Sequence, residues 1–337
     1  MAEKLSDKLI AFLATCEGKE VSLKYLRAEL RIDPNSPAWD SIRVYMKRLA
    51  EKGIVKPSGK QDGIYKVVKR VEPVRVFIPG RERRPVFNLR FPEDKSRGIE
   101  IDIAEHIVIR EGDLITLGGG KNKSKTLLCL LLAAANIDRR PVLMGNEYTI
   151  FTEGKYEPAP RFFDRLERMS EWVDWVDEDG NDRFTLLPVR DDYAEHIVRD
   201  RINIIDWINL AGGQLYDISK VLEECKSAVG KGILIVAIQK GEDAKNPRGG
   251  QFVRDFSDVE ILLDGLGDSD DEILMTIKGV KEKTGPIVGK TYAYKVVEGG
   301  TQVWNFREVK KCPLCRGTGY TREGQCESCF GAKYIDK

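Results

Sequence analysis

One stretch constrains this chain more than any other: residues 111–135, EGDLITLGGGKNKSKTLLCLLLAAA. A strand-like apolar run feeds a glycine-rich loop, and the loop opens straight into a helix that is apolar on every side. A helix of that kind has to be buried, so the loop is predicted at the edge of a covered sheet. Its main-chain N–H groups and the helix N-terminus form a nest for phosphate oxygens. On the pattern G-x-x-x-x-G-K-[ST], Gly119 takes the first position, Lys125 supplies a point charge, and Thr126 a hydroxyl suited to Mg2+. Gly120, Asn122, Lys123 and Ser124 complete the candidate cradle. Ser124 stands where the pattern has a glycine, whose missing side chain lets backbone approach phosphate closely. The competing reading is a Gly/Lys-rich surface loop.

Further along, short apolar runs (PVLMGNE, INIIDWI, GILIVAIQK, VEILLDG, ILMTIKG) alternate with helical stretches. They lack the strict alternation of a half-exposed strand, which predicts strands buried on both faces and a mostly parallel sheet between helices. Asp206 follows INII directly, and a carboxylate there is costly unless it serves a metal or partner, so it is read as a Walker-B ligand of the Mg2+ shell. Glu147 and Gln239 end their own runs. The longest apolar run, 126–136, is too short to cross a bilayer, and no signal sequence is apparent. Three scattered cysteines and four in the last 26 residues argue for a reducing, cytoplasmic setting with one metal site rather than a disulfide framework.

The order of these features resembles RecA-like ATPases over roughly residues 99–300, in particular DnaB-type hexameric helicases and related ATPases of phage and plasmid replication. In that division the hydrolytic carboxylate ends the strand after the P-loop helix instead of sitting beside the Walker-B aspartate. The resemblance implies ATP as the nucleotide, Glu147 as general base and Gln239 as the γ-phosphate sensor. It also implies that Lys281 and Lys283, in IKGVKEKTGP, occupy the basic positions inserted into a neighbouring subunit's site, so a ring or filament of identical chains is expected. Lysine there gives charge without bidentate geometry; a solvated basic turn is the alternative. Arg248 and Arg254 fall where such rings hold the DNA backbone, or are solvated loop charges.

Net charge is +1 overall, yet the first 98 residues carry +9 and the remainder −8. A basic front end on an acidic body invites a polyanion. Residues 1–70 read as three helices and a β-hairpin, which resembles a winged helix-turn-helix. The third helix would then offer Ser41, Arg43, Lys47 and Arg48 to a DNA groove, with Lys56 and Lys60 in the wing meeting phosphates; binding a protein is the alternative. Residues 71–98, with four prolines and an arginine cluster at 81–84, read as a basic linker. At the other end, Cys312-x2-Cys315-x10-Cys326-x2-Cys329 is a spacing that suits tetrahedral Zn2+. Its CxxCxGxG form resembles one pair of DnaJ-type repeats.

The expected architecture is therefore α/β: a winged-helix domain at 1–70, a linker at 71–98, a RecA-like ATPase domain at 99–308 and a four-cysteine zinc tail at 309–337. The function this implies is ATP-dependent action on single- or double-stranded DNA, helicase-like, in replication or recombination of a phage or mobile element. Two alternatives stay open: a DNA-binding regulator with a nucleotide switch or decayed site, and a helicase loader or recombination mediator. No membrane partner is expected.

Overall fold

A computed structural model describes residues 5–59, 61–70, 73, 75–78, 85–208, 217–241, 244, 246–267 and 271–337. Lys60 and residues 81–84, singled out above, lie outside them. The chain divides into two compact units, Met1–Arg81 and Glu82–Lys337.

In the first unit, α1 (Leu5–Thr15), α2 (Leu23–Glu29) and α3 (Pro37–Glu51) pack on an antiparallel sheet. Its strands are β1 (Glu20–Ser22), β2 (Val55–Pro57) and β3 (Ile64–Val67), in the order β1-β3-β2. The helical spacing of Leu9, Leu13, Ile42, Met46 and Leu49 puts them in one core with Leu26, Val55 and Val67. Ser22 caps α2 by accepting the Tyr25 N–H at 3.0 Å, and Gly53 turns the chain after α3 with φ of +71°. The extra strand β1 is only three residues long, too short to stand out by period.

The second unit is built on one large sheet. Its strands are β4 (Glu93–Asp94), β5 (Ile99–Glu100), β6 (Leu114–Gly119), β7 (Val142–Met144) and, after a separate hairpin of β8 (Thr149–Thr152) and β9 (Lys155–Pro158), β10 (Thr185–Leu187) and β11 (Ile202–Ile205). Then come β12 (Ile233–Gln239), β13 (Val259–Gly265), β14 (Glu272–Val280), β15 (Thr291–Val297) and β16 (Gln302–Lys311). Among the described residues the order is β10-β7-β11-β12-β6-β13-β14-β15-β16-β4-β5. From β10 to β13 all neighbours are parallel, as parallel strands joined by helical crossovers must be. The α/β class expected from the sequence is what the chain forms.

Helix α4 (Lys125–Ala135) crosses from β6 to β7 and is buried on nearly every side, in a core shared with Ile115, Leu117, Ile204 and Ile235. Helices α6 (Asp217–Ala228) and α7 (Gln251–Phe256) cover the other face, on Leu114, Leu234 and Val236. Between these, α5 (Pro160–Met169) follows the β8–β9 hairpin. The runs at β14 to β16 differ from the parallel expectation: each is antiparallel to its predecessor, because the connections between them are too short for a crossover.

Part of the expected linker also belongs to the sheet unit. Phe87 N donates to Ile109 O at 2.7 Å, Leu89 and Phe91 are buried, and β4 pairs with β16. The alternation of Phe87, Leu89 and Phe91 was the signal, masked by the surrounding prolines and arginines. The tail, with its hairpin of β17 (Tyr320–Thr321) and β18 (Gly324–Gln325), returns through β19 (Tyr334–Asp336) to pair with β16. Ala332 and Tyr334 pack there on Leu266, Leu274, Ala293 and Val309. Among the described residues, no helix is long and apolar enough to cross a membrane.

Candidate nucleotide site and zinc centre

Because β6, β7, β11, β12 and β13 are parallel, their carboxyl ends share one edge, and the loop 120–124 rises from it. Two residues of that loop, Asn122 and Ser124, have φ of +58°. Ser124 thus adopts the left-handed backbone that explains the glycine of the pattern, at a cost of about 1–2 kcal/mol. Its hydroxyl meets the phenol of Tyr294 on β15: burial raises the Tyr294 pKa, and the hydrogen bond with Ser124 pulls the other way. Ser124 is in this way held from the side rather than left as a defect.

Gly119 pairs with Gln239 on one side and Leu263 on the other. A Cβ on Gly119 would come within 3.0 Å of the Leu263 carbonyl oxygen and 3.2 Å of Lys125 Cγ, so this position takes no side chain without displacing backbone or the lysine stem. Lys125 is 6% exposed and its Nζ donates to Gly120 O at 2.6 Å. Burial lowers its pKa, while the negative charges of Asp206 and Glu147 work against that. Lys123 lies over Gly265 at the end of β13.

Asp206 leaves β11 fully buried, and its carboxylate oxygens make no well-formed hydrogen bond among the described residues, with the Thr126 hydroxyl the donor that approaches them. Burial pushes this carboxyl up to about 7; Thr126 and Lys125 oppose the rise, and Glu147 adds to it. Two buried oxygens so poorly satisfied, beside a threonine hydroxyl and a lysine, fit a divalent cation, which would supply the missing partners. Glu147 sits at the neighbouring strand end: its N–H donates to Asp206 O at 3.3 Å and its Oε1 accepts from Trp207 Nε1 at 3.1 Å. Gly145 makes this approach possible, since a Cβ there would lie 2.2 Å from Asp206 O and its φ is +124°. Trp207 is a site residue that the sequence reading passed over, although it directly follows Asp206.

The titration of Asp206 has a measurable consequence. The unfolded chain releases this proton near the ordinary carboxyl value of 3.8, the metal-free folded protein only near 7. The folded state therefore binds the extra proton between those values, and its stability falls as pH rises through the window. Between pH 5 and pH 8 the loss is about 3 kcal/mol. Asp206→Asn is expected to lack it, which urea unfolding with a chelator present would measure at both pH values.

Other sequence candidates lie elsewhere. Lys281 Nζ pairs with Asp258 Oδ1 at 3.0 Å, next to the start of β13 and so at the opposite edge of the sheet. Lys283 forms a bridge with Ile107. Neither approaches the loop of its own chain. Arg248 is exposed and its N–H donates to Gln239 O at 2.8 Å, while Arg254 pairs with the buried Glu260 at 3.1 Å. In the first unit, Arg43, Lys47 and Arg48 are all exposed on α3, with Arg43 stacked 5.5 Å over Trp39.

The four tail cysteines are buried with their sulfurs within 4.8 Å of one another. Sγ–Sγ distances are 3.7 Å for Cys312–Cys326 and 3.6 Å for Cys315–Cys329. Gly319 N donates to Cys315 Sγ at 3.3 Å. Burial raises the Cys315 pKa, but the amides of Gly319 and Gly317 outweigh it and bring the thiol to about 6. Four converging sulfurs with an amide donor fit a closed structural Zn2+ site.

No family profile matches this sequence, and no curated protein matches it either. Among solved structures the chain is similar to the RadB recombinase, at 16% identity and a TM-score of 0.42 over 61% of this chain and 94% of that one. It is also similar to a KaiC-like protein from the hyperthermophilic archaeon Pyrococcus horikoshii OT3, at 14% identity and a TM-score of 0.44 over 66% of this chain and all of the other. Both likenesses are distant, with TM-scores under 0.5.

Proposed function

We propose that this chain hydrolyses ATP and couples the reaction to DNA, in a helicase-like or recombination role of a mobile element. One observation carries the reading: Lys125, Glu147 and the buried Asp206 meet at the carboxyl ends of adjoining parallel strands, under a glycine-rich loop.

The loop amides and Lys125 hold the triphosphate; Thr126 and Asp206 hold the cation. When bound, Mg2+ neutralises charge on the β- and γ-phosphate oxygens. Glu147, on the exposed side of the site, orients a water and takes its proton as the water attacks the γ-phosphorus and the bond to the β–γ bridging oxygen breaks, releasing ADP and phosphate. The Trp207 indole fixes the Glu147 carboxylate for that task. Gln239, at the end of β12 beside Gly119, is placed to follow the loss of phosphate.

Lys281 pairs with Asp258 and Lys283 bridges Ile107, both away from the strand edge that carries their own loop, which favours use in a neighbouring copy, so turnover per chain should rise with protein concentration. The first unit is read as a winged helix whose α3 meets DNA. The triple variant Arg43→Ala/Lys47→Ala/Arg48→Ala is expected to weaken duplex DNA binding at least about 10-fold and to flatten its salt dependence. Fluorescence anisotropy across a salt series tests this; unchanged affinity would assign the unit to protein contacts instead. ATP turnover with and without single-stranded DNA separates a DNA-coupled ATPase from a nucleotide-switched regulator.

A further inference from the structure

Two aromatic rings of the cysteine tail stand in solvent: Phe330 is 80% exposed and Tyr320 64%. The tail does have an apolar contact to offer, and Tyr334 uses it by packing on Leu274 and Val309, but Phe330 and Tyr320 do not join it. Phe330 occupies the turn after Cys329 with φ of +48°, and Arg316 the equivalent turn after Cys315 with φ of +54°. Glycine adopts that left-handed backbone without steric cost. A ring and a guanidinium at these two turns therefore add strain without adding burial, since both side chains are exposed.

The rings are brought together by the hairpin. Tyr320 on β17 lies opposite Gln325 on β18, so both side chains leave the same face. The Gln325 amide donates to Phe330 O at 2.9 Å, which draws the turn of Phe330 against the face that carries Tyr320. Gly319 makes the crossing possible: a Cβ there would lie 2.7 Å from Gly331 O and 3.4 Å from Lys333 Cγ. Two rings, an amide and a lysine stem thus surround one crossing of the chain. Lys333, Arg316 and Arg322 are exposed and pair with no acid among the described residues, while Asp336 and Glu308 are taken by Arg307 and Lys337.

We propose that this face of the tail binds single-stranded nucleic acid, with Tyr320 and Phe330 stacking on unpaired bases and Lys333, Arg316 and Arg322 holding phosphates. Aromatic rings bordered by free cations form a stacking platform with a track for the backbone. Protein-docking patches instead exclude charge from their centres, and a duplex keeps its base faces stacked away from such rings. The proposal goes beyond the ATPase reading and does not depend on it.

The test uses the full chain, with Arg43→Ala/Lys47→Ala/Arg48→Ala present throughout to silence α3. Zinc content and ATP turnover without DNA are controls that the tail variants should leave unchanged. Anisotropy follows binding of oligo-dT and oligo-rU of about 12 bases, within the site size of one small binding domain. Tyr320→Ala/Phe330→Ala should weaken binding at least about 10-fold, the scale of lost base stacking. Phe330→Leu should lose as much as Phe330→Ala, because an aliphatic side chain fills space but does not stack. Phe330→Trp should bind at least as well as the parent, and its added indole fluorescence should be quenched by oligonucleotide. Binding of either probe in this way supports the proposal, and the tighter one identifies the sugar. An unquenched indole, or a double variant that binds both probes as the parent does, overturns it. If the double variant instead abolishes self-association in sedimentation while binding is unchanged, the face joins copies of this chain and the inference falls. None of these outcomes bears on nucleotide hydrolysis, so the ATPase reading stands or fails separately.

Discussion

Lys125→Ala is expected to reduce ATP turnover at least about 100-fold, the scale of removing one preorganised charge donor from a transition state. The lysine is buried at the N-terminus of α4, and burial already lowers its pKa, so its ammonium is poorly compensated by water and better used on phosphate oxygens. Its ammonium donates to Gly120 O, which keeps it inside the loop rather than in solvent. Alanine removes the charge without touching α4's apolar contacts, so the thermal midpoint should stay close to wild type while phosphate release is lost. DNA binding by the first unit should persist in this variant, because Arg43, Lys47 and Arg48 belong to a separate compact unit. A variant that turns over ATP at the wild-type rate would remove the loop from the mechanism altogether.

Loss of the metal is expected to be the largest stability effect in the tail. Residues 312–329 have no apolar core beyond the four cysteines, against which Ile335 alone is packed. A segment so short has to be held by something other than hydrophobic burial. Structural zinc contributes apparent binding energies of about 10–16 kcal/mol in small zinc-finger peptides, more than any hydrogen bond present in this tail. Purified protein should contain one zinc per chain by atomic absorption. A strong chelator, or Cys326→Ser, should expose residues 312–337 to protease and to rapid hydrogen exchange, and should loosen the β16–β19 pairing. Nucleotide binding should survive, since the loop and Asp206 are anchored in the parallel part of the sheet. Zinc-free protein with a protected tail would mean the cysteines only pack.

The span from residue 111 to 135 was readable because every property it needs is local. An apolar strand, a run of glycines, a lysine and an all-apolar helix follow one another without a long-range partner. The cysteine pairs were readable for the same reason, two short spacings separated by ten residues. Asp206 at the end of INII fell to the same argument, because a charge after a buried strand has few explanations.

What folding added concerns neighbours distant in the chain. An apolar run announces a buried strand but not the strand beside it, so the antiparallel turn of β14 to β16 and the return of residues 86–94 to that sheet were hidden. Ser124 looked like a defect until its left-handed backbone and the phenol of Tyr294, 170 residues away, were seen together. Lys281 reads as part of a basic segment in the sequence, but its pairing with Asp258 at the far edge of the sheet depends on the register of β13 against β14. The sequence alone determined which segments form the glycine-rich loop, the buried strands and the cysteine cluster, through patterns repeated within a few residues. Only the tertiary structure decided which charges face one another and how strongly burial perturbs them, because electrostatic energy depends on separation and dielectric, and neither is written in residue order.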